Sequence, residues 1–119
     1  MLSLALLKIP AEDLGSSVAF YEAALGLTTE FRSEDYGWAQ MGGAAVPLAI
    51  YVPGKGGGAG TTGAALDFHL SHPDPASLLA AVEAASPDAA PQLHRNDDGS
   101  TSLEFRDPAG NAVKIMKGG

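Results

Sequence analysis

The sequence predicts an α+β domain made of two βαβββ modules, whose curled mixed sheets surround a cleft and carry their helices on the outer face. Two observations predict it. A glycine-rich stretch, Pro53-Gly54-Lys55-Gly56-Gly57-Gly58-Ala59-Gly60-Thr61-Thr62-Gly63, has nothing to pack into a core and little backbone preference, so it reads as a linker. The residues on either side of it then follow one grammar, a strand, an Asp-led helix and three more strands. One domain of 119 residues results, with module one at 1–53, the linker at 54–63 and module two at 64–119.

In module one, Leu2 to Ile9 reads as a buried first strand. Asp13 to Leu25 reads as a helix, because Leu14, Val18, Tyr21 and Leu25 form one apolar stripe and Gly26 supplies the stop. Ser16 and Ser17 read as caps of that helix. Thr28 to Ser33, Trp38 to Met41 and Val46 to Val52 read as strands, separated by turns at Asp35-Tyr36-Gly37 and Gly42-Gly43.

In module two, Ala64 to Ser71 alternates, with Leu66, Phe68 and Leu70 on one side and Asp67, His69 and Ser71 on the other. Asp74 reads as an N-cap before Pro75, and the helix runs to about Ala85 with Leu78, Leu79, Val82 and Ala85 inward. Gln92 to Arg95, Thr101 to Arg106 and Ala112 to Lys117 read as the closing strands. A βαβββ unit covers one face of its sheet and leaves the other bare, so two units are expected to pair, within a chain or between chains.

Composition narrows the function. Fourteen acidic residues against seven basic ones give a net charge of −7, which repels a phosphate backbone and disfavours nucleic acid. Cysteine is absent, so there is neither a disulfide framework nor a thiolate ligand. Met1 to Pro10 is apolar but broken by Lys8 and Pro10, which suits neither a membrane span nor a signal peptide. A cytoplasmic protein without a membrane partner is expected. Gly54-Lys55-Gly56-Gly57-Gly58 lacks the Ser or Thr after lysine, and the helix start, that a phosphate loop requires.

Two segments carry a resemblance. Asp13-Leu14-Gly15-Ser16-Ser17-Val18-Ala19-Phe20-Tyr21, followed by Leu25-Gly26-Leu27, is a capped amphipathic helix. Phe105-Arg106-Asp107-Pro108-Ala109-Gly110-Asn111-Ala112-Val113-Lys114-Ile115 is a strand, a tight turn and a strand. At this separation they resemble the vicinal oxygen chelate superfamily, which includes glyoxalase I, bleomycin-resistance proteins and extradiol dioxygenases. The resemblance covers essentially the whole chain and implies the two-module cleft.

It also implies where a metal would sit. In that family the first-strand ligand lies seven residues before the helix-leading Asp, which gives Leu6 in module one and Asp67 in module two. The last-strand ligand lies three residues after the Asn of the final turn, which gives Lys114. Neither Leu2 to Ile9 nor Gly42 to Gly54 contains a His, a carboxylate or an amide, so module one has no ligand in any register. A catalytic site needs about three converging protein ligands, so no metal and no cofactor is expected.

The leading expectation is therefore binding or sequestration of a small organic molecule in the cleft, without chemistry, in the manner of the bleomycin-resistance branch and antibiotic resistance. Candidate ligand contacts are Trp38, Gln40, Tyr51, Asp67, His69 and Lys114. Trp38 reads as a stacking platform for a planar or weakly cationic ligand, or equally as core. His69 reads as a cleft residue or as a hydrogen-bonded structural one. Lys114 is expected either to pair with Asp67 where the enzymes hold their metal or to reach solvent. His72 and His94 are expected in solvent. A homodimer, formed with or without exchange of elements between chains, is expected. Two alternatives stand beside this reading: a glyoxalase- or dioxygenase-type metalloenzyme with an atypical site at Asp67, His69 and Glu104, and a dimeric scaffold without ligand.

Overall fold

Alternation of apolar and polar side chains produces two four-stranded mixed sheets, one per module. The computed structural model describes residues 1–57 and 66–118; the expected linker at 58–63 and the first two residues of the strand expected from Ala64 lie outside them. Module one contains β1 (Leu7–Pro10), α1 (Leu14–Leu25), β2 (Thr28–Ser33), β3 (Trp38–Gly42) and β4 (Leu48–Tyr51). Module two contains β5 (Asp67–His72), a 3₁₀ turn (Pro75–Leu78), α2 (Leu79–Ala85), a second 3₁₀ turn (Pro87–Ala89), β6 (Gln92–Arg95), β7 (Thr101–Arg106) and β8 (Ala112–Lys117). The strand orders are β1-β4-β3-β2 and β5-β8-β7-β6, and in each sheet the first strand runs parallel to the last. The α+β class and the two βαβββ modules are as expected. Among the described residues no helix is long and apolar enough to cross a membrane.

The first strand is shorter than its apolar run. Pairing begins at Leu7 opposite Leu48 and ends at Pro10 opposite Tyr51, because β4 offers only four residues. Residues 1–5 have no strand beside them and are exposed, Leu2 almost completely, which corrects the expectation of a buried strand from Leu2.

The helix starts differ from expectation in one detail repeated in both modules. Neither Asp13 nor Asp74 makes a side-chain cap. Instead Ser16 Oγ donates to the Asp13 carbonyl at 3.2 Å, and Ser77 Oγ donates to the Asp74 carbonyl at 2.6 Å. The second helix also opens as a 3₁₀ turn rather than an α-turn. Gly26 closes α1 in the left-handed region (φ 68°), with its N–H donating to the Glu22 carbonyl, a conformation that strains residues with a Cβ.

Both sheets turn their helix-covered faces to one shared core. Ile9, Met41, Leu48 and Ile50 of module one and Phe68, Leu103, Val113 and Ile115 of module two belong to it, with Val18 and Val82 from the helices. The predicted stripe of α1 is inward, but Ser17, Phe20 and Ala24 are buried as well. The helix is covered on a second side, where the Phe20 ring packs against Phe105 of module two at 5.8 Å and edge-on against Tyr21 at 5.5 Å.

A buried polar network joins the modules at the final turn. The two Asp107 carboxylate oxygens accept from Tyr21 Oη (2.7 Å), Asn111 Nδ2 (2.8 Å), the Asn111 N–H (2.9 Å) and the Ala109 N–H (3.0 Å). Asn111 Nδ2 also donates to the Pro10 carbonyl at 2.9 Å, and its Oδ1 accepts from the Leu66 N–H at 2.8 Å. The Asp-Pro-Ala-Gly-Asn turn thus ties β7 and β8 to α1, to the end of β1 and to the entry of β5.

Candidate functional site

With the core on one side of each sheet, the other side is an open face that carries the candidate side chains. On the first sheet the register forms two rows. Phe31, Gln40, Ala49 and Lys8 lie opposite one another across β2, β3, β4 and β1; Ser33, Trp38, Tyr51 and Pro10 form the next row. A bulge between Thr29 and Phe31 sets this alignment, so that Thr29 points to Met41 in the core while Phe31 lies opposite Gln40 and is 59% exposed. The predicted contacts Trp38, Gln40 and Tyr51 therefore share one face. Tyr51 is almost fully buried there, under two covers. Lys8 Nζ stands 4.5 Å from the Tyr51 ring centroid and 5.8 Å from that of Trp38. The turn after β4 brings Gly57 so close that a Cβ on it would lie 2.7 Å from Trp38 Cε3.

The second sheet builds a polar face. His69, Lys114, Glu104 and Gln92 form one row across β5, β8, β7 and β6. Together with Asp67 and Arg106 they line a shallow cavity of about 490 Å³. Lys114 does not meet Asp67. Its ammonium reaches Glu104 Oε1 at 3.4 Å, because Glu104 is its direct cross-strand partner while Asp67 lies opposite Ala112. His94, expected in solvent, contacts Glu104 Oε2 at 3.1 Å, so both carboxylate oxygens are engaged. These contacts, the His94 hydrogen bond first and Lys114 after it, hold the Glu104 carboxyl below its usual pKa. His72 accepts from the Asp74 N–H at 3.0 Å and ends its strand.

The residues do not fit a catalytic metal. Among the described residues no group of three or more His, Asp or Glu is placed to hold one. The β4 residues on the open face are Ala49 and Tyr51, Lys114 sits in the centre of the second face, and Glu104 is already occupied by two partners. The six predicted contacts also do not converge. Trp38, Gln40 and Tyr51 lie on one sheet, while Asp67, His69 and Lys114 lie on the other. A separate apolar groove of about 420 Å³, lined among others by Leu4, Leu7, Leu27, Val46, Leu70 and Leu78, opens between the modules, and His69 alone of the predicted contacts borders it.

Sequence reasoning missed Lys8 and Phe31. The signal for Lys8 was its being the one charged residue between Leu7 and Ile9. For Phe31 there was none, since simple alternation places it on the same side as Thr29.

Replacing Glu104 with Gln tests the second face. The Glu104 side chain is 44% exposed, so solvent screening limits the loss to below about 1 kcal/mol at pH 7. Because its folded pKa is depressed, the contribution is present above the unfolded value and is lost as pH falls through the folded one. Parent and variant melts are expected to differ at neutral pH and to coincide in acid; a difference that persists in acid contradicts the assignment.

Comparison with known proteins places this geometry. The family model described as "Glyoxalase/Bleomycin resistance protein/Dioxygenase superfamily" matches residues 3–115. No curated protein matches the chain significantly by sequence. Among solved structures, the chain is similar to a lactoylglutathione lyase from Agrobacterium tumefaciens (22% identity, TM-score 0.79, 99% of this chain and 95% of that one). It is similar to a bleomycin resistance determinant encoded on the transposon Tn5 (21%, 0.71, 98% of each). It is also similar to a bleomycin-binding protein from Streptomyces verticillus complexed with copper(II)-bleomycin (20%, 0.71, 100% and 98%). At these identities the likeness is one of fold, and it is shared by enzymes and binding proteins alike.

Proposed function

Because the chain belongs to the glyoxalase/bleomycin resistance protein/dioxygenase superfamily, we propose that it binds a small organic molecule without transforming it. A cytoplasmic sequestering role, of the kind that confers antibiotic resistance, is part of the same proposal. The observation that carries it is the chemistry of the two open faces. The first offers aromatic rings, an amide and one ammonium; on the second, the central carboxylate is engaged by His94 and Lys114. Such side chains hold a ligand by stacking and hydrogen bonding, as ligand sites generally do with a few placed polar groups.

Each face alone is shallow, and the proposal includes a homodimer that closes one over another. β1 and β5 are edge strands, so each sheet ends in unpaired backbone groups. Met1, Leu2 and Leu4, which precede the first of these strands in the chain, are exposed. Pairing β1 of one copy with β5 of a second would cover these residues and set Trp38 and Gln40 opposite Asp67, His69 and Lys114 of the other copy.

Native mass spectrometry and tryptophan fluorescence test this together. Protein purified without chelator is expected at twice the 12.1 kDa chain mass and without stoichiometric metal. A panel of planar organic molecules is expected to quench Trp38, and Trp38→Phe, followed by calorimetry, is expected to bind a responding ligand about tenfold more weakly, roughly 1.4 kcal/mol. A retained equivalent of divalent metal, or no response to any planar molecule, overturns the proposal.

A further inference from the structure

The two rows on the open face of the first sheet have an order that bears on ligand class. Across the strands stand an exposed aromatic ring (Phe31), an amide (Gln40), a small fully buried floor residue (Ala49) and an ammonium (Lys8). Neighbouring strands lie about 4.8 Å apart, so the four backbone positions of the row span roughly 14 Å. That is the length of a two- or three-ring planar molecule with one polar substituent. Beside the floor stand the rings of Trp38 and Tyr51, with the Lys8 ammonium over them.

Lys8 is the unusual member. Like most of the basic side chains, it has no carboxylate within ion-pairing distance among the described residues, but it is the one whose ammonium lies over aromatic rings, in a chain of net charge −7. Its counterparts are the π faces of Tyr51 and Trp38. Those faces therefore already hold a cation, so an incoming organic cation would meet a like charge where it would otherwise stack. An incoming anion would find an ammonium with no competing carboxylate, held over the two rings, and the Gln40 amide as a second donor along the same row.

We propose that this face recognises a planar organic acid, its anionic group at Lys8 Nζ and Gln40 and its rings against Phe31 and Trp38. This deepens, and rests on, the reading of the protein as a small-molecule binder, since it names the charge and shape of what is bound.

Three probes on one naphthalene frame separate the possibilities: 2-naphthoate, its near-isostere 2-naphthamide, and the bulkier 2-naphthyltrimethylammonium, each titrated against the intact protein and followed by Trp38 fluorescence. The acid is expected to bind at least about tenfold more tightly than the amide, and the ammonium compound more weakly than either. Lys8→Met keeps an unbranched stem and removes the charge; it is expected to bring acid and amide to equal affinity, while Lys8→Arg retains the preference. The negative field of the whole chain opposes the acid, so the preference reports a local group. Equal binding of acid and amide by the parent, tighter binding of the ammonium compound, or an undiminished preference in Lys8→Met overturns this inference and leaves small-molecule binding intact. Failure of all three probes to bind also overturns this inference, while small-molecule binding falls only if the wider panel of planar molecules gives no response.

Discussion

Asp107→Asn is expected to destabilise the protein by about 3 kcal/mol, measured by urea unfolding at pH 7. The carboxylate accepts four hydrogen bonds on two oxygens, two from the turn backbone and two from the side chains of Tyr21 and Asn111. An amide of the same shape keeps one oxygen and turns an NH2 toward two donors. Each buried group left without a partner costs about 1–3 kcal/mol. Against a total stability of roughly 5–15 kcal/mol for a domain, this is a large fraction. Tyr21→Phe is the milder variant, removing one bond and leaving the ring. The pair also predicts behaviour in alkali. Burial, and then Asp107, push the Tyr21 hydroxyl well above its usual pKa, so the unfolded chain gives up that proton first. Stability is therefore expected to fall as pH rises above about 10, and less steeply in Tyr21→Phe. An Asp107→Asn variant within about 0.5 kcal/mol of the parent would mean that the network does not join the modules.

Phe20→Ala is expected to lose about 3–5 kcal/mol, the range for deleting a buried phenylalanine. Phe20 is almost fully buried on α1 and meets Phe105 of the other module. If that contact holds the halves together, parent and variant unfold in one transition, the variant at lower urea with the same slope. Two resolved transitions would instead mean that each sheet and helix folds by itself, and the expected loss would then fall on the first module alone.

The elements themselves were readable because alternation and helical stripes depend on neighbours close in sequence. Asp67, Phe68, His69 and Leu70 divide between open face and core as their parity demands. Residues 2–6 were misread because nothing local marks where the strand starts, and the length of β1 is set by Leu48–Tyr51, some forty residues on. The cover on Trp38 comes from Lys8 and Gly57, which lie on other elements, and the partner of Lys114 follows from the exact register of the last hairpin, which the spacing of residues alone does not give. Phe31 was hidden by a bulge that shifts register within one strand. The turn from Asp107 to Asn111 was legible as a signature, but its role as the tie between modules was not, since its partners lie 86 and 101 residues away.

Those separations set an order of events as the chain is made. Domains acquire structure from the N-terminus during synthesis. The first sheet and α1 are complete in the nascent chain when its fifty-first residue has emerged, but Phe20 and Tyr21 then have no second cover. Their partners Phe105 and Asp107 are made some fifty residues later, at a pace of roughly 5–20 residues per second. For several seconds the half-built protein carries an uncovered aromatic face that any earlier-finished copy can meet. Synonymous codon changes that slow translation between the modules are therefore expected to raise the aggregated fraction, while the sequence of the finished protein stays the same.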